Sequence, residues 1–280
     1  MKCFYHNDLD GRCSAYWVYT DSVSGDFFEI DYNQDFPFSE IDEGELVWLV
    51  DYSFDDPKKM EQLLDITANV IWFDHHASTI RKYEDFPHEI EGKRVYGEPA
   101  ACKLVRDYIW PLNPDDVMTE QIHKWDTWNH DDKTLDFRNG MLAQSQDPTH
   151  PIWEFAQHNP EKIIEEGKAV TKFRERRRKN YIKDYGFEAV LGSHNCMVCN
   201  MGNASSKLFD SITTSSYDVL VAYVYDGRNY KVSMYTTKDN VDVSKIAESY
   251  GGGGHEDAAG FTVSELPFKV QSDTPEQEGV

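Results

Sequence analysis

The first part of the chain consists of short apolar runs separated by polar segments. The runs at residues 3–5, 27–30, 46–50 and 69–73 are rich in β-branched and aromatic side chains, as is typical of buried strands. Residues 13–20 and 58–66 are predicted as helices, the second because Asp55-Asp56-Pro57 supplies a cap and a proline for its first position. This alternation predicts an α/β domain with a doubly wound, mostly parallel sheet.

The pattern changes along the chain. Residues 97–110, 117–128 and 151–186 are predicted to be mostly helical, and short strands follow at 189–191, 196–199, 219–225 and 230–235. Asp226-Gly227 predicts a hairpin between the last two, and helices are predicted at 205–212 and 243–250. We therefore expect a catalytic domain over 1–150, a helical connector over 151–186, a smaller α/β domain with a mixed sheet over 187–264, a cleft between the two domains, and a polar tail over 265–280.

The composition is that of a globular protein with a strongly acidic charge. The 280 residues include 28 basic and 50 acidic side chains, which gives a formal charge of -22. Such a charge argues against binding of long duplex DNA, because that binding depends on neutralising phosphates. It leaves room for a short anionic substrate that is held by metal ions and a few local cations.

Cysteine usage and hydropathy bear on the compartment. Five cysteines without a framework spacing favour a reducing, cytoplasmic location. Cys196-Met197-Val198-Cys199 matches a CxxC pattern formally, but it has no second pair and its alternation indicates a strand. Neither a signal peptide nor a membrane-spanning run is expected, and we expect no membrane partner.

Polar side chains with metal-binding chemistry follow three of the predicted strands. His6, Asp8 and Asp10 alternate after the first, so three ligands can point to one side before the turn expected at Gly11. Asp51 ends the run at 46–50, and Asp74-His75-His76 ends the run at 69–73. The carboxyl ends of parallel strands are where open α/β sheets bind ligands.

Each of these motifs also has a simpler interpretation. Asp8 or Asp10 could only cap the following helix, and two adjacent histidines at a strand end are often loop residues. Three such groups at one sheet edge would nevertheless form a costly anionic cluster unless cations neutralised it. Carboxylate with imidazole suits Mn²⁺, Fe²⁺ or Zn²⁺ better than Ca²⁺ or Mg²⁺.

Two further features complete the list of candidates. Asp126 lies between Trp125 and Trp128, and it is interpreted either as a ligand or as a capping or paired carboxylate. The stretch Gly251-Gly252-Gly253-Gly254-His255 removes side chains from a loop, so its backbone N–H groups could cradle a phosphate; the alternative is a flexible linker.

Taken together, these motifs resemble the DHH phosphoesterase superfamily over about residues 3–263. The motifs are His6-x-Asp8-x-Asp10-Gly11, Asp51 after a strand, Asp74-His75-His76 and Asp126. Gly252-Gly253-Gly254-His255 with Ala258-Ala259-Gly260-Phe261 is similar to the signature of the DHH-associated C-terminal domain. The short spacing in His6-Asn7-Asp8 looks most like the nano-RNase or oligoribonuclease and RecJ group.

The resemblance implies a role for each residue. Two divalent ions, with Mn²⁺ expected, would be held by one set of ligands each: His6 and Asp8 for one ion, and Asp10, His75 and Asp126 for the other. Asp51 would bridge both ions, His76 would contact the scissile phosphate or leaving oxygen, and Asp74 would orient the adjacent histidine. Gly252, Gly253, Gly254 and His255 would bind the substrate phosphate or terminal nucleotide.

The implied activity is a metal-dependent phosphodiesterase that releases nucleoside monophosphates from short single-stranded oligonucleotides, RNA rather than DNA, or from dinucleotides. A two-metal hydrolysis requires this kind of ligand set. Three other functions stay open: a cyclic dinucleotide phosphodiesterase, a phosphatase for 3′-phosphoadenosine 5′-phosphate, and a catalytically silent nucleotide sensor. A homodimer is also considered.

Overall fold

The computed structural model describes residues 1–22, 24–32, 34–112, 116–202 and 204–270. It divides into two compact units, Met1–Thr171 and Lys172–Val280, and each is described by itself. The cleft predicted between the domains concerns the relation of the two units, and it stays a prediction.

The first unit is built on a four-stranded, fully parallel sheet. Its strands are β1 (Lys2–His6), β2 (Asp26–Ile30), β3 (Val47–Val50) and β4 (Val70–Phe73), in the order β2-β1-β3-β4. The register pairs Tyr5 with Val50, and Val50 with Phe73, so that β1, β3 and β4 end level with one another. The α/β fold and the parallel sheet are as predicted, because continuous apolar runs are what a sheet covered on both faces requires.

Alternate side chains of these strands enter two different cores. Tyr5, Val50 and Phe73 belong to the core on one face, together with the apolar sides of several helices. Phe4, Leu49 and Trp72 belong to the core on the other face. Both faces of the sheet are thus fixed by packing, which leaves its carboxyl edge for chemistry.

The helices of this unit follow the order of the chain. They are α1 (Leu9–Asp21), α2 (Pro57–Ile66), α3 (Ala77–Ile80), α4 (Ala101–Ile109), α5 (Val117–Asp126), α6 (Thr134–Leu142) and α7 (Ile152–His158), and α8 (Pro160–Tyr185) continues beyond Thr171. The predicted cap of α2 is confirmed, since the side chain of Asp56 accepts from the N–H of Lys58 and Pro57 occupies the first turn.

The predicted start of α1 was wrong. A turn was expected at Gly11 with the helix beginning at residue 13, but α1 begins at Leu9 and includes Asp10 and Gly11. A Cβ at Gly11 would lie 2.3 Å from the carbonyl oxygen of His6, so this glycine allows the helix to start against the end of β1. His6, Asp8 and Asp10 therefore do not share an extended segment.

The second unit contains a seven-stranded mixed sheet. Its strands are β5 (Gly186–Leu191), β6 (His194–Asn200), β7 (Val219–Tyr225), β8 (Tyr230–Tyr235), β9 (Gly253–Gly254), β10 (Ala258–Val263) and β11 (Lys269–Val270), in the order β11-β5-β6-β7-β8-β10-β9. The pair β6 and β7 is parallel and the other pairs are antiparallel. Helix α9 (Val243–Ser249) packs on β10, and the predicted hairpin joins β7 to β8.

Two predictions for this unit differ from the structure. The helix expected at 205–212 is a single 3-10 turn, Ser206–Phe209. The polar tail expected from residue 265 begins instead with ordered chain, because Lys269 and Val270 pair with Val190 and Ala189 of β5. The rest of that predicted tail, residues 271–280, lies outside the described residues.

The cysteines are buried and form no disulfide. Cys196 and Cys199 lie three residues apart on β6 and enter different cores, as alternation along a strand requires. Burial raises the pKa of each of these two thiols to about 11. Within the described ranges, no helix combines the length and the apolar character needed to cross a bilayer.

Candidate metal centre

The candidate ligands lie where the strand order reverses. From β1 the chain passes to β2 on one side and then to β3 on the other, so the carboxyl ends of β1 and β3 flank a topological switch point. His6 is the last residue of β1, Asp51 follows β3, and Asp74 follows β4. The level register of these strands brings the three motifs to one edge.

His6 and Asp8 form a pair at the start of α1. The ring Nδ1 of His6 lies 2.8 Å from Asp8 Oδ2 in a hydrogen bond. Asp8 is also the N-cap of α1, because its other oxygen accepts from the N–H of Gly11 at 2.9 Å. Burial opposes ionisation of both groups, but their mutual hydrogen bond and attraction lower the pKa of Asp8 and raise the pKa of His6.

Asp10 is buried and capped by a helix from elsewhere in the sequence. Its two oxygens accept from the N–H groups of Ala101 and Cys102, at 2.9 and 2.8 Å, at the N-terminus of α4. Burial, followed by the charge of Asp126, raises the pKa of Asp10 to about 6. The carboxylate is therefore held rigidly in a position where its charge is costly.

Asp51 is the most unusual residue of the site. It is fully buried, and neither carboxylate oxygen has a hydrogen-bond partner among the described residues. Its φ of 56° is in the left-handed region, which Asp tolerates better than most residues, and its N–H donates to Phe73 O at 2.9 Å. Burial and the charges of Asp10 and Asp8 raise its pKa well above the ordinary value.

His75 points one ring nitrogen at this carboxylate cluster. Its Nδ1 lies 2.7 Å from Gly97 O, and an N–H at Nδ1 leaves Nε2 available as a ligand. Nε2 lies 3.0 Å from an oxygen of Asp126 and 3.5 Å from oxygens of Asp10 and Asp51. None of these contacts has hydrogen-bond geometry, although the carboxylates outweigh the effect of burial and raise the pKa of His75 to about 12.

Asp74 and His76 form a second pair behind the cluster. Asp74 is fully buried and accepts from the Ser53 hydroxyl, from the backbone N–H groups of His75 and His76, and from His76 Nδ1 at 2.7 Å. Burial favours the neutral carboxyl group of Asp74. The hydrogen bonds, of which that from His76 has the largest effect, nevertheless lower the pKa of Asp74. His76 is half-buried, and its Nδ1 also lies 3.7 Å from Asp51 Oδ1.

Asp126 reaches the cluster from the last position of α5. Both interpretations of this residue were left open by the sequence, and its 3.0 Å approach to His75 Nε2 places it with the other candidates. It is the most accessible of the carboxylates that contact His75, with a quarter of its side chain exposed. Asp126 therefore lies at the mouth of the site.

The potential ligand atoms form three groups that share members. These groups are His6, Asp8 and Asp51; Asp10, His75 and Asp126; and Asp51, His75 and His76. The first two correspond to the two ligand sets that the family resemblance implies, with Asp51 between them. Which ion each residue holds stays a prediction.

The chemistry of the cluster fits divalent cations. The three groups combine four carboxylates with three imidazoles, and three of their buried ligand atoms, both oxygens of Asp51 and Nε2 of His75, have no hydrogen-bond partner among the described residues. A buried carboxylate without a partner costs several kcal/mol, at about the level that proteins avoid or compensate with a cation. Mixed imidazole and carboxylate donors suit a borderline divalent metal ion.

A cavity of about 230 Å³ opens beside these ligands. Asp8, Asp10 and Asp126 line it together with Trp125 and Arg138. A larger cavity of about 430 Å³, between α1 and α7, is lined by none of the candidate ligands. Of these two cavities, the smaller one is the one that the candidate ligands line.

The glycine stretch of the second unit is more ordered than a loop. Gly253–Gly254 form β9 against Ala259 and Gly260, and the N–H groups of Gly252 and His255 donate to Ala247 O and Ala258 O. These two donors are thus used within the protein and not offered to a phosphate. A Cβ at Gly252 would lie 2.1 Å from Gly260 O, so close packing against β10 explains why position 252 is a glycine. The side chain of His255 is exposed.

The sequence did not indicate several supporting residues. Ser53 bonds to Asp74, and residues 93–97 run beside β4, where Asp74 N donates to Lys93 O and Gly97 N donates to His75 O. A single serine or a loop carbonyl carries no pattern that sequence reasoning could detect. These contacts determine the orientation of the histidines.

Comparison with known proteins supports the predicted family resemblance. Residues 199–275 match the model of the DHHA1 domain. Over 238 residues, the chain is 21% identical to the oligoribonuclease NrnB of Bacillus subtilis, covering 76% of this chain and 57% of the relative. These matches support a DHH-superfamily phosphoesterase. The match to NrnB confirms the nano-RNase part of the predicted group.

Two other comparisons concern a second curated relative and a solved structure. An uncharacterised protein of Acanthamoeba polyphaga mimivirus, R106, is 24% identical over 241 residues, which cover 81% of this chain and 56% of the relative. The chain thus spans less than two thirds of the length of these curated relatives. The fold resembles that of the pGpG-specific phosphodiesterase PggH of Vibrio cholerae, with a TM-score of 0.57, 13% identity, and coverage of 94% and 93% of the two chains.

Proposed function

We propose that this DHH protein is a metal-dependent phosphodiesterase that hydrolyses short oligonucleotides to nucleoside monophosphates. The observation that carries the proposal is Asp51, a fully buried carboxylate with two unpartnered oxygens that belongs to two groups of potential ligands. A carboxylate in that position is what a two-metal site needs to join its ions.

Two ligand sets would hold the ions. One would consist of His6 and Asp8 and the other of Asp10, His75 and Asp126, with Asp51 common to both. When bound, two such ions lower the pKa of a water molecule and neutralise the charge of the phosphate under attack. We expect Mn²⁺ because the donors are mixed imidazole and carboxylate.

His76 would act on the substrate rather than on the ions. Its Nδ1 is held by Asp74, so its other ring nitrogen is directed away from that carboxylate and can contact a phosphate or leaving oxygen. Asp74 stays ionised, because its hydrogen bonds lower its pKa, and its hydrogen bond to Nδ1 holds the ring of His76 in place. Asp74 is the positioning residue of this pair.

The second unit would contribute substrate binding through its glycine turn. His255 is exposed there and next to β9, so it is free to contact a terminal phosphate. Because the N–H groups of Gly252 and His255 are already used, we assign the binding role to the His255 side chain and the backbone of Gly253 and Gly254.

Short substrates suit the charge of the protein. A net charge of -22 disfavours a long strand, whose binding requires many phosphates to be neutralised, whereas a dinucleotide needs only the metal centre and a few local contacts. The names of the similar proteins agree with this class, because NrnB is named an oligoribonuclease and PggH a pGpG-specific phosphodiesterase.

The decisive experiment compares substrates at equal concentration. Purified protein with Mn²⁺ should degrade RNAs of two to five nucleotides faster than a strand of about 25 nucleotides, and a chelator should abolish the reaction. Cyclic dinucleotides and 3′-phosphoadenosine 5′-phosphate belong in the same series. Preference for either of those would replace the proposed substrate, and binding without turnover of any of them would identify a nucleotide sensor.

A further inference from the structure

Next to the candidate metal centre, three aromatic rings form a stack that we call the 125–130 stack. The rings of Trp125 and His130 lie 4.7 Å apart at an interplanar angle of 5°, and the rings of His130 and Trp128 lie 5.6 Å apart at 27°. Trp128 is the outer member, and 84% of it is exposed. An indole that covers one ring and leaves its other face to solvent contributes little to a core.

The backbone at Trp128 makes its presence more unusual. The N–H of Trp128 donates to Trp125 O at 3.3 Å and that of Asn129 to Lys124 O at 2.9 Å, which is the bonding pattern of a Schellman motif at the end of α5. The residue in the left-handed position of that motif is usually glycine, and here it is Trp128, with a φ of 59°. A bulky side chain is disfavoured at this position unless it serves another purpose.

The stack is within reach of the reacting centre. Trp128 follows Asp126 by two residues, so their Cα atoms are at most about 7.6 Å apart. Trp125, the inner ring, lines the same cavity as Asp8, Asp10 and Asp126. Arg138, whose guanidinium lies 4.2 Å from the centre of the Trp125 ring, lines it as well.

We propose that Trp128 is a nucleobase-stacking residue, whose open face receives the base adjacent to the scissile phosphate. The inference rests on the proposed function and specifies how the substrate is held. An aromatic face binds any base without adding charge, which an acidic protein with few cations needs. The strained backbone then has a reason, because it turns the ring outward at the mouth of the site.

The substitution Trp128→Gly separates a binding role from a structural one. Glycine is the residue that the Schellman position favours, so the melting temperature should stay the same or rise. The KM for a dinucleotide should rise about tenfold or more, since stacking on an aromatic side chain has an effect of that size, while kcat changes little. A fall in melting temperature together with an unchanged KM would assign the ring a structural role and overturn the proposal.

A matched control and a modified substrate define the contact. Trp110 is also partly exposed, at 49%, and lines the larger cavity away from the ligands, so Trp110→Ala should leave KM unchanged. An abasic dinucleotide, which has no ring to stack, should bind equally to the parent protein and to Trp128→Gly. A loss of affinity for the abasic compound would show that Trp128 contacts the backbone instead, and it would contradict the proposal.

Fluorescence separates failure of this inference from failure of the proposed function. Binding of a dinucleotide should quench tryptophan emission of the parent protein, and the quenching should decrease in Trp128→Gly. If Trp128-dependent quenching is observed without hydrolysis, the proposed function is contradicted and the stacking role of Trp128 is supported. If the parent protein and Trp128→Gly hydrolyse the dinucleotide with equal KM, the stacking role is contradicted and the proposed function is supported. If neither quenching nor hydrolysis is observed, both proposals are contradicted.

Discussion

At the scale of single residues, Asp51 is the side chain of the site whose burial costs the most folding free energy. A buried carboxylate that lacks hydrogen bonds destabilises the fold, and the neighbouring charges of Asp10 and Asp8 increase that cost. Bound cations would offset both effects. The protein without metal should therefore carry a strain that the loaded protein lacks.

Removal of the charge at Asp51 should stabilise the metal-free protein and inactivate it. Asn keeps the shape and tolerates the left-handed backbone, so Asp51→Asn should raise the melting temperature in chelator by about 5 °C. Activity should fall by about a thousandfold, since a shared ligand is lost. Differential scanning fluorimetry with and without Mn²⁺ measures the first effect, and Asp55→Asn, at an exposed carboxylate, is the control. Full activity of Asp51→Asn would remove Asp51 from the ligand set.

Metal binding should strengthen as the pH rises. The pKa of Asp10 is raised to about 6 and that of His75 to about 12, so at low pH an ion must displace a proton from each. The affinity should therefore rise with pH, and more steeply below about pH 6, where a proton on Asp10 must be displaced in addition to those on His75 and Asp51. The melting-temperature increase caused by Mn²⁺, measured from about pH 5 to about pH 8, tests this; a shift that grows toward acid would contradict it.

Unlike the metal affinity, the contribution of Asp10 to the stability of the metal-free protein should fall as the pH rises. Its pKa in the folded state is above the ordinary value, so the unfolded chain loses that proton first as the pH rises. The contribution of Asp10 to folding therefore falls between about pH 4 and pH 6.

The sequence was most informative about residues with distinctive chemistry. All the carboxylates and histidines of the centre were identified from their positions after strands, and Asp126 from its place between two tryptophans. The sequence did not reveal that Trp128 is strained and exposed. Tryptophan rarely adopts the left-handed conformation, so its presence at position 128 gave no indication of a positive φ angle. Ser53 was missed for a similar reason, since serines after strands are common.

At the scale of elements, the close approach of α1 to β1 positions three candidate ligands. His6 ends the strand, Asp8 caps the helix and Asp10 lies in its first turn, so any shift of α1 changes their separation. Only a residue without a Cβ fits at position 11, where the carbonyl of His6 is 2.3 Å from the ideal Cβ position.

Gly11→Ala should therefore damage both the fold and the metal centre. We expect a loss of about 2 kcal/mol in the free energy of unfolding, because backbone must move to admit the methyl group. The affinity for Mn²⁺ should fall as Asp8 and Asp10 shift relative to His6. Chemical denaturation and metal titration measure these effects, and Gly253→Ala, with no atom within 4 Å of the added Cβ, is the control for stability. Unchanged metal affinity would show that α1 can adjust without loss.

Prediction of the elements succeeded where burial dictates the pattern. Strands β1 to β8 and helices α2 and α9 follow from apolar runs, caps and a hairpin turn, whereas β9, β10 and β11 were not predicted. It failed at residues 9–12, because the alternation of His6, Asp8 and Asp10 imitates a strand, and at 205–212, where a 3-10 turn replaces the helix. In both places tertiary contacts outweigh the local pattern.

At the scale of the whole molecule, the charge should control which substrates are accepted. With 50 acidic against 28 basic side chains, a long polyanion is repelled at low ionic strength, and a dinucleotide much less. Raising the salt concentration from about 50 mM to about 200 mM should lower the KM for a strand of about 25 nucleotides, which is the opposite of ordinary nucleic-acid binding, and change the KM for a dinucleotide little. A KM that rises steeply with salt for the long strand would reveal a basic track and contradict this expectation.

The cap that α4 provides for Asp10 has a consequence for the order of folding. The amides of Ala101 and Cys102 are 91 and 92 residues from the carboxylate they bind, so the centre is complete only when distant parts of the chain have met. In small zinc domains the ligands are close in sequence and the ion can nucleate the fold. Here the loop-closure entropy must be overcome first, by the apolar cores on the two faces of the sheet. Metal uptake should accordingly be a late event that follows assembly of the first unit.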